Sequence, residues 1–240
     1  YGIDIPKALI NHFGYSKQCH LAYRDGYDSD EWYDIMRENL NNFGPTYYSG
    51  GSDQGRHAFV VDGYAPDNYF HFNFGWGGYG NGYFLLPEIE SYDSEVTLLN
   101  LEPDKDGTSK YRDNILLYYY TYGDGGTTLR GITSNATKYA ANSEFSVKLG
   151  KILNCGARVF NGEVALVHCN KDGGWKKQLY TATLEDLDIW YAITYYYAEV
   201  TLDDIEEGDL LRIYFKSSDS DEWIWARAYN SEADGEIEIC

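Results

Sequence analysis

Basic residues are scarce in this chain: 19 Lys and Arg stand against 38 Asp and Glu, a formal net charge of −19. The deficit is spread along the sequence, −10 up to Pro103 and −9 beyond it. A surface of that sign repels phosphate backbones and offers no basic stripe, so nucleic acid and anionic membrane are poor candidates as partners; the bland reading of the charge is solubility. Cysteine is sparse too. Cys19, Cys155, Cys169 and Cys240 show no C-x-x-C spacing and are too few for a disulfide scaffold. No apolar run approaches the roughly 20 residues that span a bilayer, so no transmembrane segment is expected, and no signal peptide is visible. The only methionine is Met36, and Tyr1 therefore reads as a processing or degradation boundary. Acidic pairs at Asp28/Asp30, Asp104/Asp106 and Asp203/Asp204 lack the ligand ladder of a calcium loop and read as solvated turns. No metal and no cofactor is expected.

What is present is aromatic: 25 Tyr, 10 Phe and 6 Trp in 240 residues, together with 25 Gly, a mixture that favours strands and turns over helical bundles. Two helices are nonetheless signalled near the start. Asp4 can cap the first, Pro6 suits an early helical position, Ile5, Leu9, His12 and Phe13 repeat at helical spacing, and Gly14 stops it. The second opens with Asp28 and Glu31 at capping-box spacing, carries Trp32, Ile35, Met36, Leu40 and Phe43 as an apolar stripe, and ends at Gly44-Pro45. That stripe is core packing, not a ligand site.

From Thr46 the period changes to that of strands: 46–49, 57–64, 69–74 and 82–86 have the pattern of an antiparallel meander, and 93–101 supplies one more strand. Residues 104–112 have the composition of a linker. Beyond them strand signals recur at 115–122, 144–152, 162–169, 177–183, 195–202, 210–217, 223–228 and 236–239, which points to a β-sandwich of immunoglobulin-like size over 113–240. Trp175, Trp190, Trp223 and Trp225 read there as core and edge packing, with a sugar- or protein-binding surface as the rival. Cys155 and Cys169 flank neighbouring strands and are open to either a disulfide or two thiols.

The stretch that carries chemistry is Gly55-Arg-His-Ala-Phe-Val-Val-Asp-Gly63, followed by Tyr69-Phe-His-Phe-Asn-Phe-Gly-Trp-Gly-Gly78. A histidine begins one strand, an asparagine ends the next, and a short turn between antiparallel strands permits a His57–Asn73 hydrogen bond. Such a pair suits cysteine proteolysis: the imidazole takes the thiol proton and later protonates the leaving amine, while a neutral amide orients the ring. Trp76 would shield that bond from water. Alone, a His and an Asn on adjacent strands read as structural. Cys19 adjoins His20, but neighbouring side chains diverge, and it reads as a structural cysteine.

The words around the pair change that reading. Tyr-Tyr-Ser-Gly50, His-Ala-Phe-Val-Val-Asp-Gly-Tyr64, Asn-Phe-Gly-Trp-Gly-Gly78 and Gly-Tyr-Phe84, with Ile-Pro-Lys-Ala-Leu9 upstream, resemble the streptopain family of bacterial cysteine peptidases over residues 1–103. The resemblance implies an α+β fold: the C-terminal half of a papain-like peptidase over 1–103, helices plus antiparallel sheet, followed by the all-β immunoglobulin-like sandwich. It implies His57 and Asn73 as the catalytic pair, Trp76 and Phe74 as shielding residues, and Arg56, Tyr1 and Gly2 at the substrate rim. Phe74 stands where the family usually has a Trp, and Arg56 where it has a Gly. The nucleophilic Cys is expected on a separate or missing N-terminal segment that also carries a propeptide, and this chain alone is expected to be inert. Protein or peptide substrates and a secreted, periplasmic or surface location in a bacterium follow from the same resemblance. The rival is a non-catalytic peptidase relic that binds a surface glycan or protein.

Overall fold

The capping box read from the sequence forms as written. In the computed structural model, which describes residues 2, 4–52, 55–86, 93–121, 128–136, 138–193, 196–231 and 233–239, helix α2 (Ser29–Phe43) begins with the Asp28 carboxylate accepting the Glu31 amide at 2.8 Å while Glu31 reaches back to the Asp28 amide. Gly44 ends it at φ 82°, a conformation that only glycine adopts without strain. Asp28→Ala removes the acceptor for a helix-terminal N–H and is expected to cost about 1 kcal/mol, read as a lower urea midpoint at unchanged slope.

The chain divides into two units, Tyr1–Arg112 and Asp113–Cys240. In the first, α1 (Asp4–Phe13) is followed by β1 (His20–Tyr23), α2, β2 (Thr46–Ser52), β3 (Gly55–Tyr64), β4 (Tyr69–Asn73), β5 (Gly82–Leu85) and β6 (Asp93–Leu99). The six strands form one antiparallel sheet ordered β1-β6-β2-β3-β4-β5. The meander thus covers β2 to β5, and β6 returns to separate β2 from β1. Alternation along the strands splits the apolar side chains between two faces. On one, Trp32 and Met36 of α2 pack on Tyr48, Phe59, Phe70 and Phe72; on the other, Ile5 and Leu9 of α1 cover Leu21, Val96 and Leu98. The Trp32 indole donates to the Tyr48 hydroxyl, which donates to the buried Glu95 carboxylate. Burial raises the Glu95 carboxyl above its ordinary range.

Residues 104–112, expected as a linker, are tied into this unit. The Asp104 amide donates to Gly14 O at 2.8 Å, the Lys17 amide to Ser109 Oγ, and the Arg112 amide to Lys17 O. Their polar composition marks a hydrogen-bonded strap as well as it marks a linker, which is why composition did not separate the two.

Among the described residues the second unit contains strands and no helix. They fall into four sheets: 132–134, 144–149 and 196–201; 115–117, 152–154 and 192–193; 160–169 and 175–187 with 210–217, 224–225 and 236–238; and 119–121 with 128–130. Its core gathers Ile115, Val147, Phe160, Leu166, Ile213 and Phe215 with their neighbours. The expected strands 115–122 and 144–152 each break in two, at Tyr118 and at Gly150-Lys151, where the chain passes from one sheet to another. Cys155 and Cys169 are buried thiols and form no disulfide; Cys240 lies outside the described residues.

Candidate active site

His57 sits at the start of β3, opposite Gly50 of β2. Its ring lies on the same strand face as Phe59, 5.7 Å away between centroids. Trp76 stacks on it at 4.7 Å and 19°, and Phe74 lies nearly parallel to it at 6.1 Å and 20°. Phe74 is buried, whereas Trp76 is half-exposed, so the indole forms an outer wall over the imidazole. Glycines at 75, 77, 78 and 80, all at positive φ, make the tight turn that folds Trp76 back onto β3.

The orienting hydrogen bond differs from the one expected. The imidazole Nε2 lies 3.0 Å from the backbone carbonyl of Phe74, to which it donates. Asn73 is exposed and pairs in register with Val60, three residues past the histidine. Its side-chain carbonyl accepts the Gly75 amide at 3.0 Å, the amide that shares a peptide plane with the Phe74 carbonyl. Asn73 therefore does not hold the ring directly; it holds the peptide group that holds the ring. The reason is register: Asn73 pairs with Val60, an odd number of residues from His57, so the two side chains leave the sheet on opposite faces. A backbone acceptor is invisible to residue-type reasoning, which names only side chains.

Arg56 is exposed beside His57. Tyr1 lies outside the described residues. Gly2 accepts the Ile5 amide at the start of α1, and a Cβ there would come 3.4 Å from the Tyr47 hydroxyl.

The thiols among the described residues are all buried. Cys19 packs with Leu21, Val96 and Leu98 on the α1 face, and burial pushes its thiol up to about 12. Cys169 is likewise raised by burial, and Cys155 is 1% exposed. The other buried or half-buried histidines are engaged elsewhere: His20 with Gln18 and Arg112, His71 with Asp62, His168 with Asp209. Among the described residues no three His, Cys, Asp or Glu side chains group as a metal site.

Comparison with known proteins falls on this half of the chain. Residues 1–84 match the model of the Peptidase C10 family. The thiol protease/hemagglutinin PrtT of Porphyromonas gingivalis is 43% identical over 86 residues, 36% of this chain and 10% of that protein. Streptopain of Streptococcus pyogenes is 37% identical over 85 residues, 35% of this chain and 21% of its own length. The matches thus span between a tenth and about a fifth of these relatives. The interpain A cysteine protease of Prevotella intermedia is 24% identical with a TM-score of 0.38, covering 46% of each chain. Residues 1–84, which hold His57, Asn73, Phe74 and Trp76, are thus similar in sequence to the Peptidase C10 family.

Proposed function

We propose that this chain supplies the acid–base half of a papain-like cysteine endopeptidase, with His57 as the base and acid and the nucleophilic thiol contributed by a segment outside these 240 residues. The observation that carries the reading is the state of the His57 ring. It is walled by Trp76 and Phe74, and its Nε2–H is held on the Phe74 carbonyl. That hydrogen bond fixes the tautomer with an unprotonated Nδ1, the nitrogen left to accept a thiol proton.

The steps follow from that ring. Nδ1 takes the thiol proton, and the thiolate attacks the peptide carbonyl carbon. The collapsing adduct expels the amine, which receives the proton from His57, and leaves a thioester. Water then attacks the thioester, giving its proton to the same nitrogen, and the acid and thiol are released. The Phe74 carbonyl, neutral like an Asn amide, stabilises the imidazolium without adding a full negative charge beside the thiolate. Asn73 contributes through the Gly75 amide, Trp76 and Phe74 exclude water from the Nε2 hydrogen bond, and Arg56 lies on the substrate side.

The remaining assignments belong to the same proposal: a peptidase domain over 1–103, an immunoglobulin-like accessory sandwich over 113–240, protein or peptide substrates, and a secreted, periplasmic or surface location. The test is a thiol-reactive peptidyl electrophile added to the full-length gene product. Labelling is expected on a cysteine outside residues 1–240. Absence of label in the full-length product, or label on Cys19, Cys155 or Cys169, overturns the proposal; absence returns the chain to the relic reading.

A further inference from the structure

We propose that Asn81 is a positioning residue for His57, acting through the backbone of Phe74; the proposal rests on the reading of His57 as the acid–base group. Two peptide planes hinge at the Phe74 Cα. The one after it presents the carbonyl that receives the His57 Nε2–H, and its N–H is held by Asn73. The one before it carries the Phe74 amide, which donates to the Asn81 side-chain carbonyl at 3.0 Å. With both planes pinned, both backbone dihedrals of Phe74 are set, and with them the direction of the carbonyl.

Nothing in the intervening chain would do this. Residues 75–80 include four glycines at positive φ, so the loop's local preferences leave it many paths. Tyr79 is almost fully exposed, and the turn's own backbone bond, from the Tyr79 amide to Trp76 O, does not reach Phe74. Asn81, at the far end of the loop and just before β5, closes it onto Phe74. The carbonyl that orients the catalytic ring is therefore set from two sides by side-chain amides, of which the sequence pattern singled out only Asn73.

The experiment has two readouts, so that failure of this inference and failure of the peptidase reading are told apart. In the 240-residue chain, NMR of the His57 Nε2–H proton reports the hydrogen bond without any thiol. Asn81→Ala is expected to move that resonance upfield and to speed its exchange with solvent by about tenfold or more, as an unpinned carbonyl loosens the bond. Asn81→Asp, whose carboxylate can accept the same amide, is expected to restore slow exchange. In the full-length product, Asn81→Ala is expected to lower kcat about 10- to 100-fold with KM within about twofold, the signature of a misplaced acid–base group, and Asn81→Asp to recover most of it. An unchanged Nε2–H resonance in Asn81→Ala overturns the proposal whatever the activity. Should that variant fail to fold, Asn81→Ser, with its shorter acceptor, is read the same way. A loosened Nε2–H in a full-length protein that hydrolyses no peptide leaves the positioning role standing and removes the peptidase reading.

Discussion

His57→Ala is expected to abolish peptide hydrolysis by the full-length product, lowering kcat by on the order of 10⁴-fold or more, about 5.5 kcal/mol of transition-state stabilisation. The loss is that large because one ring performs every proton transfer: it activates the thiol, protonates the amine and activates water. Labelling by a peptidyl electrophile should fall with it, since the unassisted thiol is mostly protonated at neutral pH. Asn73→Ala is expected to lose far less, about tenfold. Its amide does not touch the imidazole; it holds the Gly75 N–H, and the Phe74 carbonyl stays on the ring, loosened but present. Equal losses for Asn73→Ala and His57→Ala would mean that Asn73 bonds the ring in the working enzyme and that the carbonyl pairing is not the productive one. Stopped assays of kcat and KM for both variants, with urea unfolding as a control on folding, decide it.

The second large effect is on stability against acid. His20 is buried on β1, its Nδ1–H donating to Gln18 O at 2.8 Å and its Nε2 accepting from Arg112 Nε at 3.2 Å. Burial, then the Arg112 charge, lower its pKa from 6.5 to about 3, against a smaller upward pull from the Gln18 carbonyl. The folded value lies below the unfolded one, so the unfolded chain binds the proton first. The stabilisation is complete above 6.5 and is lost as pH falls from there towards 3, by about 1.4 kcal/mol per pH unit. Between pH 6.5 and 4.5 the first unit is expected to lose about 2–3 kcal/mol. Glu95, raised by burial above its ordinary 4.5, works in the opposite sense over the range just above that value, so the difference between the native and His20→Gln unfolding curves isolates the histidine. A difference that stays flat from pH 7 to 4.5 would mean that His20 is charged or solvated in the folded protein. The same protonation replaces an acceptor facing Arg112 with a like charge, so the strap at 104–112 is where opening should begin, seen as early loss of amide protection at Arg112.

What was legible in the sequence was written in short-range code. Helix α2 follows from an Asp and a Glu three apart and a stripe at helical spacing, both local relations that the structure reproduces. The alternation in β3, with Phe59 and Val61 buried between exposed neighbours, assigns one face to the core regardless of what the strand pairs with. The motif from His57 to Trp76 likewise placed a histidine at a strand start and an indole on a glycine turn, and the ring contact follows from that short separation.

Strand β1 was missed because four residues carry no readable period and its partner, β6, lies more than 70 residues away in sequence. The Asn81 bond was equally hidden: Asn-Gly before a strand reads as a turn, and which amide its side chain reaches depends on the path of the glycine loop. Local sequence thus prescribed a histidine at the start of β3, an indole on the glycine turn and the elements that carry them, because each depends on neighbours within a turn or a hairpin. Long-range folding decided that a backbone carbonyl, not Asn73, accepts the His57 hydrogen bond, that Cys19 is sealed in the core, and that His20 meets Arg112. Those outcomes depend on the register of strands and the course of loops, where a shift of one residue exchanges one hydrogen-bond partner for another.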